Sequence, residues 1–176
     1  MDKKLIKIAF VGFWPGFDKV NNFFTEILGQ KYDVLVIDVD KDKNRKNEVE
    51  YLFYSAFSDD YLDYNCIRIF YTGENVFPNM NECDYAIGFD YCTMGDRYIR
   101  FPLYLAFYSQ DVENMLKKHT SIDETNIKRK FCSMVVSNSI YADPIRKEFF
   151  EKISEYKKVD SGGRFLNNIG LLEGVA

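Results

Sequence analysis

The stretch Leu5–Phe13, LIKIAFVGF, is apolar almost from end to end, with Lys7 as its single charge. A continuous apolar run of this length predicts a strand covered on both faces, as strands of parallel sheets are. Pro15 and Gly16 break the run. Beyond them Val20, Phe23, Phe24, Ile27 and Leu28 recur at helical spacing, which predicts an amphipathic helix closed by Gly29. Tyr32–Val39, YDVLVIDV, then reads as a second buried strand. Strand, helix and strand in this order make the opening of an α/β fold with a largely parallel sheet.

The rest of the chain extends the pattern. Residues 40–50, DKDKNRKNEVE, are polar and read as a surface loop, while Tyr51–Ala56, Ile67–Thr72 and Tyr85–Phe89 read as further strands. Pro102 divides the stretch Arg97–Lys118 into a short segment and a helix. His119–Lys130 turns polar, as a linker does. Phe131–Ser137 is another strand. Asp143-Pro144 suits a helix start, with Asp as N-cap and Pro at the first position, and Ile145, Phe149, Ile153 and Tyr156 give that helix an apolar face. Lys157–Asp160 is a short strand stopped by Gly162-Gly163. The predicted organisation is one domain over residues 1–124 and an incomplete second unit over 125–176, too short to bury a core alone.

With 176 residues, 47% hydrophobic, the chain can build a core. Its net charge is −4 with both signs interspersed, which argues against a nucleic-acid partner. Lys128-Arg129-Lys130 is the one basic cluster, read as a solvated linker against a phosphate or membrane-surface contact. No segment approaches the ~20 apolar residues of a membrane span, and the N-terminus lacks a signal-like stretch. The expectation is a soluble cytoplasmic protein, with peripheral attachment to the inner membrane left open. Cys66, Cys83, Cys92 and Cys132 form no CxxC and have one histidine to help them, so free thiols are expected and a metal site is not. The 16 Phe and 13 Tyr must mostly be core.

Chemistry is narrowed by elimination. His119 is the single histidine, set among lysines, and GxGxxG, GxxxxGK[ST] and HExxH are all absent. Any acid–base chemistry therefore falls to a carboxylate. In Ile69–Asn75, IFYTGEN, a buried strand ends at Gly73 and Glu74. Ligands of open α/β sheets sit beyond the carboxyl ends of strands, so Glu74 either faces a cleft or merely serves a turn. Asp38 and Asp90 also lie at strand ends. A second candidate is Val135–Arg146, VVSNSIYADPIR, a strand, loop and helix start. An arginine in a first helical turn opposes the helix dipole, so Arg146 either meets an anion such as a phosphate or pairs with Asp143, Glu148 or another acid.

The blocks IFYTGENVFPNMNECDYAIGFDY, GDRYIRFPLYL, KFCSMVVSN and DPIRKEFFEKISEYKKVDSGGRFLNNIG resemble the α-1,3/1,4-fucosyltransferases of glycosyltransferase family 10. They run with short gaps from about Cys66 to Gly170, and Leu5–Phe57 is similar to the N-terminal region of bacterial members. The resemblance implies a Rossmann-like N-terminal domain of GT-B architecture on the acceptor side, followed by the first βαβ unit of a second, donor-binding Rossmann-like domain. It implies inverting transfer of L-fucose from GDP-fucose to an N-acetylglucosamine-containing glycan, with no cofactor. By motif match Glu74 is the general base, Arg146 contacts the donor pyrophosphate, Ser137 and Asn138 lie beside the donor, and Gly162, Gly163 and Arg164 fall in a glycine-containing loop. Phe77, Asn79 and Met80 stand where many members have a basic residue and Asp-Phe. After Gly170 the sequence LLEGVA does not resemble the family's continuation, which carries most donor contacts. The expectation is a truncated relative, inactive alone. The competing readings are a glycan-binding or subunit fragment that works with a separately encoded C-terminal half, and a non-functional remnant.

Overall fold

The computed structural model describes residues 2–105, 130–140 and 143–172. The chain divides into two compact units, Met1–His119 and Thr120–Ala176. The boundary expected at 124/125 lies outside the described residues, as do His119, Lys128, Arg129 and the body of the helix expected after Pro102.

The first unit is a six-stranded sheet in the order β2-β1-β3-β4-β5-β6, formed by β1 (Lys4–Val11), β2 (Tyr32–Val36), β3 (Tyr51–Tyr54), β4 (Ile67–Tyr71), β5 (Tyr85–Gly88) and β6 (Tyr98–Arg100). Every pairing is parallel. Alternate residues of each strand feed opposite faces. Ile6, Ile8 and Phe10 of β1, Phe53 of β3 and Tyr71 of β4 pack with Phe24 on one side. Ala9, Val11, Leu52, Tyr54, Phe70 and Ala86 pack on the other. The aromatic load settles largely on the first side: Phe10 stacks on Phe53 at 5.3 Å, and the Tyr71 ring meets Phe24 edge-on at 4.9 Å.

The expected helix over 20–28 is shorter, α1 (Phe23–Gly29). Asn22 caps it: its Oδ1 accepts the N–H groups of Phe24 and Thr25, and Thr25 Oγ1 accepts the Asn22 N–H in return. This closed box sets the start three residues past Val20, which is 62% exposed. β2 corrects a second expectation. It is the sheet edge rather than a buried strand, and Asp33 and Leu35 face solvent. Residues 40–50 hold a 3-10 turn, Lys43–Glu48, whose end buries Val49 in the core. The short segment before Pro102 is β6, and a helical turn begins at Leu103.

In the second unit β7 (Cys132–Met134) pairs in parallel with β8 (Val159–Ser161), joined through α2 (Ile145–Tyr156). The helix starts one residue later than the Asp-Pro pair predicts, with Pro144 in the capping position and Asp143 just before it. Asp143 Oδ1 accepts the Ile145 N–H at 2.9 Å, and Pro144 has helical angles, φ −52° and ψ −28°. β7 is shorter than the expected Phe131–Ser137.

Candidate functional site

A β2-β1-β3 order reverses direction at β1, and such switch points open a crevice at the carboxyl ends of the strands. Two cavities lie at this edge, on either side of the loop leaving β1. One, of ≈370 Å³, is lined by Gly12, Trp14, Lys19, Asp40 and Ser58, with Lys19 and Asp40 ion-paired. The other, of ≈310 Å³, lies beneath the same loop against α1 and the end of β4, and is lined by Trp14, Phe17, Phe23, Glu26 and Tyr71. Gly12 makes the loop possible: its φ is +63°, and a Cβ there would stand 2.9 Å from the Ser55 carbonyl oxygen.

Glu74 is exposed just past β4. The turn that carries it is closed by its neighbour: Thr72, 2% exposed, accepts the Glu74 N–H on Oγ1 at 3.0 Å. The Glu74 carboxylate pairs with nothing among the described residues, so it does no local structural work. Gly73 serves the site through space rather than by a special backbone angle, because a Cβ there would come within 2.8 Å of Leu103 Cδ2. Asp38 pairs with Lys41, whose hydrogen bond holds its carboxyl below the usual carboxylate range. Downstream, Arg97 fastens the loop that follows Glu74 by donating to the carbonyls of Met80, Cys83 and Asp84.

In the second unit the strand ends again share one edge. Ser137 and Asn138 follow β7 and are exposed, and Asn138 Oδ1 accepts the Ile140 N–H. Gly162 and Gly163 follow β8. The Gly162 N–H donates to Met134 O at 3.1 Å and the Phe165 N–H to Val136 O at 2.9 Å. A Cβ on Gly163 would stand 2.2 Å from Val136 O, so only glycine fits beside that backbone. Arg164 is exposed on the same loop. Asn167 and Asn168, which sequence reasoning passed over, staple it: Asn167 Nδ2 donates to Gly163 O at 2.7 Å, and Asn168 bonds Ser161 N and Val159 O.

Arg146 sits in the first turn of α2, and its guanidinium has no acid partner among the described residues. Neither Asp143 nor Glu148 forms an ion pair with it, so those two alternatives are removed. Arg146 borders an apolar cavity of ≈430 Å³ between α2 and β7–β8, where Ile145 is 64% and Phe149 61% exposed. The apolar face expected on this helix is therefore present and open. Below it Asp160, 8% exposed, pairs with Lys130 and Lys158, and the hydrogen bond from Lys130 chiefly lowers its pKa.

Trp14, Glu26 and Tyr71 were not singled out from the sequence. Tyr71 carries the one available signal, a polar tip at the last position of its strand.

The fold class is that of a GT-B glycosyltransferase, with a Rossmann-like N-terminal domain followed by the first βαβ unit of a second Rossmann-like domain. The family model described as "Alpha-(1,3)-fucosyltransferase FucT N-terminal domain" matches residues 8–108, more than half of the chain, and the chain belongs to that family. The alpha-(1,3)-fucosyltransferase FucT of Helicobacter pylori is 30% identical over 200 aligned positions, covering 94% of this chain and 41% of that protein. A crystal structure of an α1,3-fucosyltransferase matches with TM-score 0.66 at 27% identity, over 96% of this chain and 56% of that one. A crystal structure of α1,3-fucosyltransferase with GDP-fucose matches with TM-score 0.65 at 28% identity, over 97% of this chain and 56% of that one. The chain thus spans about two-fifths of the curated relative and about half of the crystallised chains.

Proposed function

We propose that this chain is the acceptor-side half, with the beginning of the donor half, of an inverting α-1,3-fucosyltransferase that uses GDP-fucose and an N-acetylglucosamine-containing glycan. The observation that carries the reading is the Glu74 carboxylate: exposed, unpaired among the described residues, and held by a Thr72-closed turn at the carboxyl edge of a parallel sheet in a member of this family.

In this reading an acceptor hydroxyl oxygen attacks C1 of fucose. The bond from C1 to the GDP oxygen breaks with its electron pair leaving on GDP, and the hydroxyl proton passes to Glu74. Attack from the face opposite GDP inverts C1 through an oxocarbenium-like transition state. The Arg146 guanidinium and the N–H groups at the start of α2 take the charge that grows on the pyrophosphate. Ser137, Asn138, Gly162 and Gly163 border the donor. The chemistry is carried by side chains and substrate, so the reading assigns no resident cofactor.

The reading places the protein in the cytoplasm, with inner-membrane association at the periphery. It also holds that these residues alone do not turn over. No helix among the described residues is long and apolar enough to cross a membrane. The open apolar face of α2 favours a second reading, a subunit that acts only once that face is covered.

The test is reconstitution with the C-terminal half of the Helicobacter pylori relative. The purified chain alone should give neither transfer nor GDP-fucose hydrolysis, and the mixture should give transfer. Turnover by the chain alone would overturn the two-part reading. Full activity of a reconstituted Glu74→Ala mixture would remove Glu74 from the base role.

A further inference from the structure

Tyr71 ends β4 with its side chain on the α1 face of the sheet, 2% exposed, and it lines the ≈310 Å³ cavity under the β1–α1 loop. Its hydroxyl has no hydrogen-bond partner among the described residues, and as the polar tip of a ring that lines the cavity it is free to meet a ligand or water there. Burial raises the Tyr71 pKa, so at neutral pH the phenol keeps its proton and can donate as well as accept.

The other polar groups around the cavity sort cleanly. Asp18 is spent on the loop, accepting from the backbone of Val20 and Asn21 and from Asn21 Nδ2. Asn22 is spent on capping α1. Glu26 stands exposed at the rim, and its carboxylate is unpaired among the described residues. The remaining wall is aromatic, including Trp14 and Phe23.

We propose that this cavity is a subsite for one neutral sugar ring of a glycan, with the ring's C–H face on Trp14 and its hydroxyls shared between Tyr71 and Glu26. The chemistry of the lining selects the class. Aromatic walls with a phenol and a carboxylate suit a pyranose, which has one apolar face and a rim of hydroxyls. Among the described residues two carboxylates line the cavity and no lysine or arginine does, which disfavours a phosphate, a nucleotide or an acidic sugar. The volume lies at the lower end of the range for ligand pockets, room for a ring rather than a chain.

The proposal rests on the acceptor-side reading given above and adds a specificity element to it. Tyr71 and Glu74 are three positions apart, at most about 10 Å along the chain. A ring seated at Tyr71 is therefore the neighbour of the sugar that reacts at Glu74, and the cavity would distinguish an oligosaccharide acceptor from a lone monosaccharide.

The chain contains one tryptophan, so Trp14 emission reports this cavity directly. N-acetyllactosamine and N-acetylglucosamine would be titrated into the full chain, with binding followed by ligand-observed NMR and by Trp14 fluorescence. The disaccharide should shift the emission saturably and bind more tightly than the monosaccharide. Tyr71→Phe, which removes only the hydroxyl, should weaken the disaccharide about three- to tenfold and leave the monosaccharide unchanged. Glu26→Gln, on the surface and harmless to the core, should weaken it in the same selective way. If both sugars bind by NMR while Trp14 emission and both variants' affinities stay unchanged, the subsite is overturned and the acceptor-side reading stands. If neither sugar binds by NMR, the acceptor-side reading fails and the subsite with it.

Discussion

At the scale of single residues, what matters is which groups the fold leaves unsatisfied. Most polar side chains near the sheet's carboxyl edge are consumed by it: Asp18 in its loop, Asn22 in a cap, Arg97 on three carbonyls, Asp38 on Lys41. Glu74, Glu26 and the Tyr71 hydroxyl are not. Glu74 was legible in the sequence because an acid beside a glycine at a strand end is visible as a pattern. Tyr71 was hidden because an aromatic at the end of an apolar strand looks like core, and only the packing reveals the unpartnered tip. Residue-scale contacts also make two predictions. Gly163→Ala should part the ends of β7 and β8, because the intruding Cβ meets Val136 backbone, which cannot turn aside as a side chain would. Faster amide exchange at Phe165, whose N–H bonds Val136 O, is the readout. Asp160 has its pKa lowered in the fold, first by the Lys130 hydrogen bond. Its contribution is therefore fully present above the unfolded aspartate value, near 4, and is lost as pH falls through the lower folded value. The stability difference between wild type and Asp160→Asn in urea unfolding should shrink on going from neutral pH into that acid range.

At the scale of elements, sequence periodicity found the types and misjudged some of the ends. β1 could be read because a strand flanked by β2 and β3 must be apolar on both faces. β2 carries a similar run yet lies at the edge, since composition reports that residues tolerate burial and not which neighbours arrive. The start of α1 was misplaced because the apolar spacing extends back to Val20, whereas the Asn22–Thr25 box fixes where the backbone turns helical. Asn22→Ala should accordingly cost about 1 kcal/mol of stability, measured by chemical denaturation. The cap of α2 was legible because Asp-Pro specifies both the side-chain acceptor and the first helical angle. Asn167 and Asn168 were not, because their staples are set by the shape of the loop between Ser161 and Gly170.

At the scale of the whole molecule, the two units are unequally finished. The first has apolar residues packed on both faces of its sheet, and Phe10, with no exposed surface, is the hub of one side. Phe10→Ala should cost about 3–5 kcal/mol, seen as a lowered denaturation midpoint for the first unit. The second unit shows Ile145 and Phe149 to solvent beside a two-stranded sheet. A probe dye for exposed apolar surface should bind the chain alone and be released when a C-terminal half is added.

The uniform strand direction of the first unit has a practical corollary. Lys4, Tyr32, Tyr51, Ile67 and Tyr85 all begin their strands, so they share one rim, with Lys3 anchored there on Gly29 O. A biosensor surface that captures the chain through a peptide fused ahead of Lys3 would hold it by this rim. The edge that carries Glu74 and the mouth of the Trp14 cavity would then face the flowing solution, and oligosaccharide arrays could be screened against an oriented layer instead of a randomly coupled one.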